Sequence, residues 1–228
     1  MASKKFISGK NNSGRRMDKN AAIIRCFMKE ESLISYPEEY VQNLDKHPMS
    51  WIAENVFITN GWSGATIATE MDNYYYSAKA HEVFVTELPD ARFADATALV
   101  NWQRLIKSQE EIGFIRKAAR ISERVIETAI DRAAPGVRKN DVVADIMHAG
   151  ITGVDDVWGD YPAIVPLTPS GLDATAAHLT WNGDPMREGE ATFFELSGCY
   201  RRYHAPLCRT VFLGTPPKEM LDAEAAQL

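Results

Sequence analysis

Two apolar runs, residues 191–199 and 203–213, are separated only by Tyr200-Arg201-Arg202. Runs of that length, joined by so short a link, predict an antiparallel strand pair. Upstream lies the longest periodic segment of the chain, Ser108 to Ala134. Ser108 is a good N-cap, and Glu110 and Glu111 sit where the positive end of a helix dipole favours acids. Ile112, Ile115, Ala119, Ser122, Ile126 and Ala129 recur every three or four residues, and Pro135-Gly136 stops the pattern. A second helix is predicted over 139–150, capped near Asn140.

The remaining elements are shorter. Residues 21–28, 65–70, 93–96 and 163–167 are read as strands. Residues 47–55, 74–88, 98–106 and 218–228 are read as helices, and Tyr74-Tyr75-Tyr76 as core or interface packing. Residues 1–20 are polar and are expected to be loosely ordered. The 228 residues suffice for one or two cores. A division into domains 1–106 and 107–228 is expected.

The net charge of −6, with basic and acidic residues interspersed, argues against a nucleic-acid partner. No apolar run reaches the ~18 residues of a membrane span, and residues 1–10 lack a signal-peptide core. A cytoplasmic protein is expected. Cys26, Cys199 and Cys208 are scattered without metal or disulfide spacing and are read as free thiols. Asp155, Asp156, Asp160 and Asp173 are loop acids, explained by turn formation more readily than by metal binding.

Three segments carry a family resemblance. They are Asn101-Trp102-Gln103-Arg104 to Ile112, then Gly159-Asp160-Tyr161-Pro162 through Trp181, then Phe193-Phe194-Glu195 to Gly214. Together with Tyr40-Val41-Gln42, His47-Pro48-Met49 and Glu70 to Tyr75, they resemble the pita-bread family of creatinase, prolidase and aminopeptidase P, most closely its ectoine hydrolase branch. The resemblance spans about residues 36–228. It implies an α+β fold, with part of a creatinase-type N-terminal α/β domain before the first half of a pita-bread catalytic domain. The chain is expected to stop before the second half, where the family keeps a His and two Glu. A homodimer, as formed by other relatives, is implied as well.

In that family the strand pair bears an Asp-Leu-Gly triplet, a Tyr, a Gly-Tyr pair, a second Asp and a closing Thr-Arg-Thr. Tyr200, Tyr203, Arg209 and Thr210 fall in register. Glu195 stands at the first Asp and Pro206, eleven residues on, at the second. Proline has no side-chain donor atom, so no metal and no cofactor are predicted. The branch implies hydrolysis of the cyclic amidine of ectoine to N-acetyl-2,4-diaminobutyrate. His178 matches the family's substrate-side His and is the candidate for proton transfer, or else a hydrogen-bonded loop residue. Glu195, flanked by Phe193, Phe194 and Leu196, needs a cationic partner, either the substrate or one of Arg201, Arg202 and Arg209. Arg201 and Arg202 are candidates for clamping a substrate carboxylate, or are solvated at a hairpin tip. Tyr161 and Trp181 are candidates for an aromatic wall, or core residues. His204 is a further substrate-side candidate, its direction left open by strand alternation. A metal-dependent Xaa-Pro peptidase, a creatinase-like enzyme and an inactive fragment are the alternatives.

Overall fold

The computed structural model describes residues 12–14, 16–26 and 28–227. The expectations for residues 1–11 lie outside these. The chain divides into two compact units, one ending at Leu105 and the other beginning at Ile106.

In the first unit β1 (Asn12–Gly14) and β2 (Leu33–Ser35) pair in parallel, with α1 (Arg16–Arg25) between them. The strand expected at 21–28 is therefore a helix over most of its length. Ala21 and Ala22 are strong helix formers, and Asp18 and Arg25 lie at the ends where the dipole favours their charges. Helix α2 starts at Pro48 (Pro48–Ile52) and widens into a π turn over Ala53–Ile58. His47 caps it, its Nδ1 accepting the Met49 N–H at 3.1 Å. β3 (Thr66–Thr69), α3 (Ala78–Glu87) and β4 (Arg92–Asp95) form a parallel β-α-β unit. Helix α3 begins four residues later than expected from Tyr74, because Ser77 caps it by accepting the Ala80 N–H. Tyr74 and Tyr75 are left exposed, contrary to the core packing predicted for them. A core of Ala53, Val56, Phe57, Ile67, Phe84 and Leu88 holds the unit together, with Phe57 edge-on to Phe84. Helix α4 (Leu99–Arg104) follows.

The second unit is built on α5 (Gln109–Arg132), α6 (Lys139–Thr152), and the hairpin β5 (Ala191–Tyr200) and β6 (Tyr203–Phe212), with α7 (Lys218–Gln227) at the end. Ser108 and Glu111 form a reciprocal capping box at the start of α5. The buried stripe of α5 is Ala118, Ile121, Ser122, Val125, Ile126 and Ala129. Phe194, Leu196 and Tyr200 pack on it, so alternate β5 residues face the helix. Gly198 belongs to that face. A Cβ there would stand 2.4 Å from the Ala118 carbonyl oxygen and 2.5 Å from the Ser122 nitrogen, so only glycine lets strand and helix backbones approach this closely. Ser122 serves both strands: its Oγ accepts the Gly198 N–H and donates to the Ala205 carbonyl. Gly198 and Ala205 are cross-strand partners.

The strand expected at 163–167 does not form. Only Leu167 and Ser170 bridge to β5, at Glu195 and Thr192. Pro162, Pro166 and Pro169 lack the N–H groups that a continuous ladder needs. Residues 160–170 still follow the free edge of β5. Asp160 donates to Cys199, Leu167 and Glu195 exchange both bonds, and Phe193 donates to Pro169.

Glu111 ties the start of α5 to the hairpin. Its carboxylate accepts the Ser108 N–H at 2.7 Å and the Tyr203 hydroxyl at 2.8 Å. The Ser108 backbone bond first, and the Tyr203 bond next, hold its carboxyl below the usual range. A carboxyl whose pKa is depressed by folding adds stability above its unfolded value of about 4.3 and loses it as pH falls through the folded value. Urea unfolding of wild type and Glu111→Gln should therefore differ at neutral pH and converge on acidification. A constant difference down to the acid limit would contradict this role.

Candidate active site

The face of β5 turned away from α5 carries Phe193, Glu195, Ser197 and Cys199. Their cross-strand partners on the same face are Thr210, Cys208, Pro206 and His204. Glu195 is half-buried here. Among the described residues its carboxylate has no ion pair within 4.0 Å. The three arginines considered as its partners are engaged elsewhere. Arg201 lies over the Phe114 and Tyr200 rings at 5.5 and 5.8 Å. Arg202 stacks on Tyr161 at 4.0 Å, bonds the Tyr161 carbonyl and pairs with Asp160 at 3.7 Å. Arg209 donates to the Cys208 carbonyl.

These contacts explain the turn as well. Arg201 and Arg202 both have positive φ, 49° and 68°. A two-residue hairpin link needs that conformation, and it costs a non-glycine residue about 1–2 kcal/mol. Stacking on aromatic rings and the bonds to residues 160–161 offset the cost. Arg202 is thus held by the chain itself, and Tyr161, 67% exposed, is its platform.

His204 shares the Glu195 face, which settles its direction. Its Nε2 accepts the Ala163 N–H at 2.9 Å, and its Nδ1 lies 3.0 Å from the Arg202 carbonyl. The two contacts together require the neutral Nδ1–H tautomer, and they occupy both ring nitrogens. Cys199 is buried and burial pushes its thiol upward; at Cys208 desolvation, then the Glu195 carboxylate, do the same. Raised thiols are poor nucleophiles at neutral pH. All three cysteines are free.

His178 follows a 3₁₀ turn, Gly171–Thr175, and is exposed. Trp181 is half-buried three residues on. Neither makes a described side-chain hydrogen bond. Sequence reasoning passed over three buried polar side chains near this loop, Lys139, Ser170 and Thr192. Lys139 pairs with Asp173 at 3.7 Å, and the Ser170 Oγ lies 2.7 Å from the Thr192 Oγ1. Lys139 carried no signal beyond its place at a helix start. Ser122 could have been singled out as the one hydroxyl in an apolar stripe.

Pro206 offers no donor where it faces Ser197, and Glu195 is the one carboxylate on that face, so the hairpin cannot supply a pair of carboxylates to a metal.

Residues 113–228 match the model of metallopeptidase family M24. Over 220 residues the chain is 49% identical to ectoine hydrolase from Halomonas elongata, covering 94% of this chain and 55% of that one. Its structure is similar to that of an Xaa-Pro dipeptidase from Bacillus anthracis, with TM-score 0.70 and 18% identity over 92% of this chain and 54% of the other. It is also similar to X-Pro aminopeptidase from Thermotoga maritima, with TM-score 0.71 and 16% identity over 93% and 54%. The chain spans about half the length of these relatives. It belongs to metallopeptidase family M24 and has the α+β pita-bread architecture of that family.

Proposed function

We propose that this chain contributes the hairpin side of an active site that opens the cyclic amidine of ectoine to N-acetyl-2,4-diaminobutyrate, with no metal ion in the reaction. The observation that carries the proposal is the 49% identity to an ectoine hydrolase over nearly the whole chain. The unpaired Glu195 carboxylate and the donorless Pro206 support it.

The chemistry needs few groups. An amidinium carbon is already electrophilic, so water can add to it once a base removes a proton. In this reading His178 takes that proton as water oxygen bonds to the amidine carbon. It then returns the proton to the ring nitrogen whose bond to that carbon breaks. The second water proton leaves the oxygen as the amide carbonyl forms, and the released amine ends as an ammonium. The charge of the substrate is conserved. Glu195 stabilises the cationic ring, which supplies the partner that the half-buried carboxylate lacks within the chain. Trp181 and the face of Tyr161 not covered by Arg202 are the aromatic surfaces available to it. A cytoplasmic homodimer completes the proposal.

Side-by-side incubation with ectoine, creatine and a Gly-Pro dipeptide, with and without chelator, tests it by NMR of the products. Chelator-resistant opening of ectoine is expected. Chelator-sensitive cleavage of the dipeptide, turnover of creatine instead, or turnover of none of the three would overturn the proposal.

A further inference from the structure

We propose that Lys139 is a positioning residue for the loop that bears His178, acting through Asp173; the link to catalysis rests on the function proposed above. Lys139 is the first residue of α6 and is only 5% exposed. Its backbone is fixed, because its N–H bonds the Asp184 carbonyl and the preceding Arg138 bridges to Pro185. Its ammonium therefore projects from a rigid base. The partner is the Asp173 carboxylate, 3.7 Å away on the 3₁₀ turn.

Asp173 is the second step in a ladder of bonds three residues apart. Its N–H bonds Ser170, the Ala176 N–H bonds Asp173, and the Leu179 N–H bonds Ala176, at 3.2, 2.9 and 3.0 Å. His178 lies inside the last of these turns. The lower end of the ladder is anchored by the Ser170–Thr192 hydroxyl pair at 2.7 Å. The chain turns there at Gly171, whose φ of +59° suits glycine. The upper end has no such anchor: residues 175–180 are exposed. Asp173 is thus the one acidic side chain in the turn, and Lys139 ties it to the buried scaffold. Only the Lys139 end of the pair is buried, so removing Asp173 leaves that ammonium uncompensated, and removing Lys139 frees the half-exposed Asp173 from its tie; either way the ladder loosens above Ser170 while α5 and the hairpin stay packed.

Amide hydrogen exchange on the full chain tests this with Lys139→Met and, as a variant that leaves the buried lysine in place, Asp173→Asn. In both, exchange at Ala176 and Leu179 should rise at least about tenfold, with Ile121 and Val125 in α5 unchanged, since local opening need not involve the global transition. Turnover of ectoine should fall on the order of tenfold with KM nearly unchanged, as expected when a reacting group is misplaced and binding is kept. Uniform acceleration at all four amides would mean a general loss of stability and would overturn the positioning role, as would no acceleration at all. Exchange does not depend on turnover. A selective exchange change with unaltered kcat would therefore keep the mechanical coupling and sink its catalytic consequence.

Discussion

His178→Ala is expected to lower kcat for ectoine by about 10²- to 10⁴-fold, the usual worth of a positioned general acid–base group. KM should change little. The imidazole is exposed, so its removal opens no cavity and leaves no buried group without a partner. Stability is thus expected to hold within about 0.5 kcal/mol, which separates loss of chemistry from loss of fold. Turnover in His178→Ala equal to wild type would remove the residue from the mechanism. Glu195 would then be the remaining carboxylate on the hairpin face able to act as base.

Gly198→Ala should strongly destabilise the packing of the hairpin on α5. The added carbon would lie 2.4 Å from one α5 backbone atom and 2.5 Å from another, with the Ile121 Cβ at 2.8 Å. None of these is the tip of a flexible side chain, so the strand must move away from the helix. That displacement would also break the bonds of the Ser122 hydroxyl to Gly198 and Ala205. Overpacking alone costs about 1–3 kcal/mol, and stretching a buried hydroxyl bridge adds about 1 kcal/mol or more. A loss of about 3 kcal/mol corresponds to a Tm lower by about 6–12 °C in a chain of this size. Gly136→Ala is the control: it has positive φ but open space around it, so only the smaller cost of a strained backbone applies. Equal Tm for the two variants would show that the close approach at Gly198 is not what holds the hairpin to α5.

The parts of the fold legible in the sequence are those governed by local rules. Ser108, Glu111 and the Pro135-Gly136 stop predict α5 because caps and breakers act within a turn of the residues they govern. The two strands of the hairpin are legible from their length and apolar content. The turn itself is not: Arg201-Arg202 carries no glycine or asparagine, and its left-handed backbone is held by Phe114, Tyr161 and Asp160, far away in sequence. The prolines at 162, 166 and 169 are a local sign of an interrupted ladder, which the apolar content of 163–167 masks. Arginines 201 and 202 looked available to a substrate because sequence shows charge without showing what already satisfies it. His204 illustrates the same limit, since alternation leaves two faces open until register with Cys199 fixes one. Lys139 was invisible for a different reason: a lysine at a helix start is usually solvated, and only tertiary packing buries it.

The most direct test of the account is elemental analysis of enzyme that is opening ectoine. The protein would be purified, shown by NMR to form the N-acetylated diamino acid, and measured for zinc, manganese, cobalt and iron in the same sample. The account predicts competent enzyme with far less than one metal ion per chain, its activity unchanged after chelation. Stoichiometric metal that is lost with activity on chelation, and restores activity when returned, would contradict it.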